Sequence, residues 1–177
     1  MVRFYVSCCG PFTITLKTVK IINRGYQLAK IRLYLDNCCL NRPYDDQTNL
    51  NIRLESEAKL FIQNEIIQNN YELAWSFMMD YEISANPFYD RQLAFMRWRN
   101  AASIDIDPTE MILIRGRELI QKNIKQKDAI HIACALKAEC DYFLTTDRGI
   151  LSKNIPDIKL MNPLDFIRQF YTEGDDK

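Results

Sequence analysis

The sequence predicts an α/β protein, organised as a three-layer α/β/α sandwich with a central, mainly parallel sheet. From about residue 31 to residue 170, short apolar runs alternate with helix-like segments, and this alternation is typical of a parallel sheet covered by helices on both faces. With 47% hydrophobic and 26% charged residues in 177, the chain is expected to fold as one domain of ordinary size. Acidic residues also stand at the ends of several apolar runs, and parallel sheets bind ligands outside the carboxyl ends of their strands.

The first half of the pattern contains two strands. Apolar periodicity and length separate strands from helices, and a helix is expected to stop before a proline such as Pro87. The predicted elements are a strand at 31–35, a polar turn at 41–46, a helix at 51–69, a strand at 73–76, and helices at 77–85 and 88–101.

The second half opens with a helix start signal. Asp107 is predicted to cap this helix, with Pro108 at its first position and Glu110 three residues after the cap. A second helix, which begins at Asp128, is apolar on nearly every face and is therefore expected to be buried. The predicted elements are a strand at 103–107, helices to about 123 and from 128, a strand at 142–146, a short helix after Asp147, a strand at 158–161 and a helix at 163–170.

Composition excludes several functional classes. Lys plus Arg and Asp plus Glu number 23 each, which argues against a polybasic binder but leaves room for a nucleic-acid enzyme with an acidic metal site. Six cysteines, no C-x-x-C and one histidine argue against a structural zinc site. The cysteines lie in apolar segments, which is typical of buried thiols in a reducing cytoplasm. No apolar run approaches the ~18 residues of a membrane span, so no membrane association is expected.

Four acidic residues are the candidates for chemistry: Asp36, Glu82, Asp128 and Asp147. The first and last follow predicted strands, so their side chains are expected to converge at one edge of the sheet. Converging carboxylates repel one another unless a cation holds them. Oxygen ligands favour a hard divalent ion such as Mg²⁺, and that metal is typical of phosphate chemistry.

Each acid also has a purely structural interpretation. Asp128 would suit a helix N-terminus, Asp147 would suit a turn or a cap, and Asp36 could be an ordinary loop acid. Glu82 competes with Asp80, because residues two apart on a helix point in different directions and only one can face the site. His131, one turn after Asp128, is interpreted as a core residue bonded to a neighbour rather than as a catalyst.

Five segments together resemble the PIN domain family. The opening of that domain, with an Asn-Arg-Pro turn after the first acid, is similar to residues 34–47, and the family's third and fourth acidic motifs are similar to 127–135 and 143–147. The second acidic motif matches 76–83 by position, and the closing segment matches 162–167. The resemblance covers residues 31–170, so this range is predicted to be a PIN-like nuclease domain.

PIN domains are metal-dependent ribonucleases, many of them the toxin half of toxin–antitoxin pairs, with VapC the best-known type. The resemblance implies Mg²⁺ or Mn²⁺ bound by the four acids, an RNA substrate, an antitoxin partner and a homodimer. The cations nearest to the acids in sequence are expected to contact RNA phosphates; they are Arg42, Lys127 and Arg148.

The rest of the chain, and the function itself, have alternative interpretations. Residues 1–30 match nothing in the family and are expected to be an extension, either disordered or translated from a start codon assigned too far upstream, and 171–177 a flexible tail. One alternative function is an aspartyl-phosphate phosphohydrolase with Asp36 as nucleophile, against which stands Cys38 where a second acid is usual. The other is a non-catalytic nucleic-acid-binding module with a PIN-like fold.

Overall fold

A computed structural model describes residues 30–171. The predicted extension lies outside these residues except for Lys30, and the predicted tail lies outside them except for Tyr171. Within the described part, five strands form one sheet in the order β3-β2-β1-β4-β5, and every neighbouring pair is parallel. The strands are β1 (Arg32–Leu35), β2 (Glu72–Ser76), β3 (Ile104–Ile106), β4 (Tyr142–Leu144) and β5 (Lys159–Met161).

Helices cover both faces of this sheet and give the predicted three layers. They are α1 (Asn37–Asn41), α2 (Leu50–Ile67), α3 (Phe77–Ser84), α4 (Tyr89–Arg99), α5 (Glu110–Gln121), α6 (Gln126–Lys137), α7 (Arg148–Leu151) and α8 (Pro163–Tyr171), with one 3₁₀ turn at Arg42–Tyr44. One face packs against α2 and α8, and the other packs against α3, α5 and α6. None of these described helices is long and apolar enough to cross a membrane.

The alternation of side chains along β1 produces the two cores. Leu33 and Leu35 point to the layer that contains Ile62 of α2 and Phe166 of α8, whereas Tyr34 lies in the cluster on the opposite face. Successive residues of a strand point to opposite faces, and here both faces are buried. This explains why β1 is a continuous apolar run rather than an alternating one.

Three details differ from the sequence predictions. Helix α5 is capped by Thr109, whose side chain accepts from Ile112 N, and not by Asp107, because β3 pairs with β2 as far as Ile106 and the chain then needs a few residues to turn. Helix α6 begins two residues before Asp128. The predicted tail starts one residue too early, because Tyr171 belongs to α8 and its hydroxyl bonds that of Tyr71 at 2.9 Å.

Candidate functional site

Two of the four predicted acids follow neighbouring strands. Asp36 comes directly after β1, and Asp147 lies three residues beyond β4. These strands pair in parallel, with Leu35 opposite Leu144, and Asp36 N extends the ladder by donating to Leu144 O at 3.0 Å. The carboxyl ends of the two strands therefore bring both acids to the same edge of the sheet, as predicted.

Asp36 is held on both carboxylate oxygens. Its Oδ1 accepts from Asn37 N at 2.8 Å, which caps α1. Its Oδ2 accepts from Thr145 Oγ1 at 2.8 Å and from Cys38 Sγ at 3.1 Å. The residue is only 7% exposed, and this burial raises the pKa of Asp36 well above its usual range. The side chain is thus fixed in place before any ligand arrives.

Thr145 connects Asp36 to Asp147. Its hydroxyl donates to Asp36 and accepts from Asp147 N at 3.0 Å. Asp147 in turn caps α7, with Oδ1 accepting from Gly149 N at 2.6 Å. Its Oδ2 lies 3.8 Å from Lys125 Nζ. Sequence analysis did not single out Thr145, although its position two residues before Asp147 places it where β4 ends.

Glu82, on α3, faces this edge of the sheet, while Asp80 points elsewhere. Glu82 Oε2 lies 3.3 Å from His131 Nε2, and its Oε1 lies 3.5 Å from Lys127 Nζ. The contact with His131, followed by the charge of the imidazole and that of Lys127, lowers the pKa of Glu82.

Asp80 belongs to a different cluster. It accepts a hydrogen bond from Trp75 Nε1 at 2.8 Å and pairs with Arg99 at 3.1 Å. The structure therefore gives Glu82, and not Asp80, the orientation that the sequence predicted for the second acid.

Asp128 lies in the first turn of α6, whose cap residue is Lys125, so the capping interpretation of Asp128 does not apply. Partial burial is the main reason that its pKa is raised, and the carboxylates of Asp147 and Glu82 raise it further. Nearby Lys125 and His131 act in the opposite direction. Asp147 and Glu82 thus each lie close enough to Asp128 to repel its carboxylate, and a bound cation would relieve this repulsion.

A buried chain of hydrogen bonds lies behind Glu82. Tyr34 OH is 2.6 Å from Ser76 Oγ and 2.7 Å from His131 Nδ1, and all three side chains are at most 2% exposed. Neutral imidazole has one donor and one acceptor nitrogen. If Nε2–H points at the Glu82 carboxylate, Nδ1 must accept from Tyr34, and the tyrosine oxygen must accept from Ser76.

His131 is therefore bonded to a core neighbour through Nδ1, which is the structural role predicted for it. His131 Nε2 is buried and reaches Glu82 without the alignment of a full hydrogen bond. Sequence analysis missed Tyr34 and Ser76, because a tyrosine and a serine inside apolar strands look like ordinary core residues.

The three predicted phosphate-binding cations differ in their surroundings. Arg42 is engaged by acids of its own fold: its Nε donates to Glu55 Oε2 at 2.6 Å and its Nη1 to Asp45 at 3.1 Å. Lys127 stands beside Glu82, with its side chain 59% exposed. Arg148 is exposed at the start of α7, directly after Asp147. Only Lys127 and Arg148 therefore remain next to the acids and open to a ligand.

The donor set suits a hard divalent cation, although it does not form a finished coordination sphere. Carboxylate oxygens are the ligands that Mg²⁺ prefers, and this ion commonly keeps several waters while using one or two protein carboxylates. Among residues 30–171, no three His, Cys, Asp or Glu side chains are grouped closely enough to hold a metal ion. The carboxylate chemistry of the acids and the repulsion at Asp128 fit a divalent cation.

Comparisons with known proteins bear on the fold. No protein-family profile matches the sequence, and no curated protein matches it either. A chain in the crystal structure of VapBC2 from Rickettsia felis bound to a DNA fragment from their promoter aligns with a TM-score of 0.50 and 17% identity, over 75% of this chain and 98% of that chain. VapBC-1 from nontypeable Haemophilus influenzae aligns with a TM-score of 0.49 and 17% identity, over 75% and 98%.

The Rickettsia felis structure shares the architecture of the described residues over nearly its whole aligned chain. At 17% identity this similarity concerns the fold and leaves the chemistry to be argued from the residues. The five-stranded parallel sheet and its two helical layers, described above, agree with it. The described part of the chain therefore has a PIN-like fold.

Proposed function

We propose that this chain is a metal-dependent endoribonuclease that hydrolyses RNA phosphodiester bonds, with Mg²⁺ or Mn²⁺ as cofactor. The proposal is supported by two strand ends that bring Asp36 and Asp147 to the carboxyl edge of a parallel sheet, and by the influence of Asp147 and Glu82 on Asp128. Two neighbouring carboxylates contribute to the raised pKa of Asp128, and this supports a cation-binding role for the site. The four acids are proposed both as the metal-binding and as the catalytic residues.

The residues of the chain have distinct tasks in this proposal. A bound metal would supply positive charge to offset the charge that develops on the phosphate oxygens. Asp36, held by Thr145 and Asn37, gives the site a fixed carboxylate. Glu82 is oriented by the buried chain through His131. Lys127 and Arg148 bind phosphates that flank the cleaved bond, and we leave Arg42 out because its guanidinium is already paired with Glu55 and Asp45.

The proposal extends to partners and location. An antitoxin protein, encoded separately, would bind and silence the enzyme, as the resemblance to PIN toxins implies, and the chain would form a homodimer. The similar Rickettsia felis structure is named as a VapBC2 complex, which agrees with such a partner. The free thiols of Cys38, Cys39, Cys134 and Cys140 support a reducing, cytoplasmic location.

The direct test is cleavage of single-stranded RNA by the purified full chain. We expect cleavage with Mn²⁺ or Mg²⁺, no cleavage after chelation, and loss of cleavage in Asp36→Asn, whose side chain is nearly isosteric. Asp80→Asn is the matched control, because it removes a carboxylate that faces Trp75 and Arg99. RNA binding without cleavage would favour the non-catalytic module, and phosphate trapped covalently on Asp36 would favour the phosphohydrolase.

A further inference from the structure

A pocket of about 510 Å³ lies between α2 and α4, away from the four acids. Its size falls within the roughly 300–1,000 Å³ range of small-molecule sites. Most of its wall is apolar, and Leu60 and Ile67 at its border are 51% and 63% exposed. The lining residues used below are Lys59, Leu60, Gln63, Ile67, Arg97 and Trp98.

Lys59 is an unusual residue for such a wall. Its side chain is 5% exposed, and burial lowers its pKa to about 8. No Asp or Glu in residues 30–171 forms an ion pair with this ammonium, and burial raises the pKa of the neighbouring Cys39 thiol, which disfavours a thiolate partner. A buried ammonium without an anion is unfavourable, and buried charges in proteins are normally paired.

Gln63, one turn after Lys59, is a second buried donor. It is 3% exposed, and its Nε2 has no hydrogen-bond partner in the described structure. Residues four apart lie on the same face of a helix, so α2 presents both side chains to the same region. On the inner face of this helix, Gln63 Nε2 therefore lacks an acceptor, and the neighbouring Lys59 forms no ion pair within residues 30–171.

The charges around the pocket have one sign. Lys59 and Arg97 line it, and no Asp or Glu side chain does. Neither cation forms an ion pair with any residue in the range 30–171, although Asp and Glu are as numerous as Lys and Arg in the whole chain. An occupant that complements this wall must carry negative charge and acceptor oxygens at one end, and an apolar body at the other.

We propose that the pocket between α2 and α4 binds a small amphipathic carboxylate, with its acid group at Lys59 and its apolar body along Leu60, Ile67 and Trp98. The ammonium and the Gln63 amide supply donors for the two carboxylate oxygens. Arg97, exposed at the rim, attracts the anion toward the entrance. The site is independent of the proposed nuclease, because none of its lining residues belongs to the acidic edge of the sheet.

A single small molecule suits this pocket better than a protein segment. The unpaired cation that distinguishes the pocket is buried rather than on the rim, so the acid group of the ligand must enter past the apolar wall. A chain of several carbons that ends in a carboxylate matches the charge of the pocket and fits within its volume.

The test compares octanoate with octanol, which have the same carbon chain and differ in charge. Calorimetric titration of the full chain, followed in parallel by its tryptophan fluorescence, is expected to show octanoate binding at least about tenfold tighter, because a charge-assisted hydrogen bond is lost with octanol. Lys59→Met, similar in length and apolar, should fold and should lose this preference. Lys137→Met, the same change at an exposed position of α6, should keep it.

Each of the following results would overturn the proposal: no binding of octanoate at millimolar concentration, equally tight binding of octanol, or a retained preference for the acid in Lys59→Met. Binding of an acidic peptide without binding of octanoate would also overturn it, in favour of a protein partner. RNA cleavage does not enter any of these outcomes, so the test succeeds or fails independently of the proposed nuclease.

Discussion

The carboxyl edge of the sheet and the pocket between α2 and α4 both bury polar side chains, but they differ in how those side chains are satisfied. At the edge, Asp36 is bonded on both oxygens, and Tyr34 bonds Ser76 and His131, whose Nε2 approaches Glu82 without an aligned hydrogen bond. In the pocket, Gln63 Nε2 has no hydrogen-bond partner and Lys59 forms no ion pair within residues 30–171.

This difference in hydrogen bonding indicates what kind of ligand each region can accept. Asp36 is held in one arrangement by hydrogen bonds to both of its oxygens, so the edge is preorganised, and the repulsion between its carboxylates is the property left for a cation. Unbonded buried donors carry a free-energy cost, so the pocket is the region that a ligand would stabilise most. Each of the following substitutions breaks or sharpens this contrast.

The largest expected effect concerns the two acids of α3. Glu82→Gln should reduce metal-dependent RNA cleavage at least about tenfold, as the loss of a ligand or of its supporting group typically does. Asp80→Asn should leave the rate nearly unchanged, because Asp80 contacts Trp75 and Arg99 instead. Initial rates of RNA cleavage by the two variants show which of the two carboxylates serves the site. A larger loss in Asp80→Asn would move the second acid and require the site to be redrawn.

In the pocket, Lys59→Met is expected to stabilise the ligand-free protein. A lysine whose folded pKa is lowered from 10.5 to about 8 destabilises the fold fully below pH 8, and the penalty disappears as pH rises toward 10.5. The gain at pH 7 should therefore be roughly 2–3 kcal/mol and should shrink at pH 9–10. Urea unfolding at several pH values measures it, and a gain that does not change with pH would contradict burial of the charge.

At the edge, removal of the Tyr34 hydroxyl is expected to destabilise the fold, the opposite of the effect expected for Lys59→Met. Tyr34→Phe leaves His131 Nδ1 and Ser76 Oγ without their partner, which is expected to cost about 1–2 kcal/mol of unfolding free energy. Tyr81→Phe is the control, because that side chain is 57% exposed. Equal stability of the two variants would mean that the buried chain does not hold the site together.

The smallest effect is expected for Asp128→Asn in the metal-free protein. A carboxyl whose folded pKa is raised lowers stability above its usual pKa, so the asparagine variant should be more stable at pH 7, and the difference should vanish near pH 3. Because the residue is partly exposed, solvent screening limits the gain to no more than about 1 kcal/mol, or about 2–4 °C in thermal unfolding. An Asp128→Asn variant less stable than the unmodified protein at pH 7 would contradict the repulsion of Asp128 by Asp147 and Glu82.

Sequence reasoning succeeded where one residue type decides the local structure. Apolar runs gave the strands, and the ends of β1 and β4 gave Asp36 and Asp147, because strand direction alone determines which edge receives them. The start of α5 was predicted wrongly, since Asp107 and Thr109 are both good caps and the choice depends on how far β3 pairs with β2.

The sequence does not reveal when residues of a type that usually lies on the protein surface are in fact buried. In α2, Lys59 and Gln63 resemble solvated helix positions, whereas Phe61, an apolar residue, is 38% exposed. Lys59 and Gln63 line a pocket because α4 lies opposite them. The same is true of Tyr34 and Ser76, whose hydrogen bonds require β1, β2 and α6 to be brought together.

The central claim is that the carboxyl edge of the sheet is a divalent-metal site, and calorimetric titration of the metal-free full chain with Mn²⁺ tests it most directly. We predict saturable binding that weakens at least about tenfold in Asp36→Asn and is unchanged in Asp80→Asn, whose charge change is the same. No saturable binding by the unmodified chain, or equal affinities in the chain and its Asp36→Asn variant, would contradict the account.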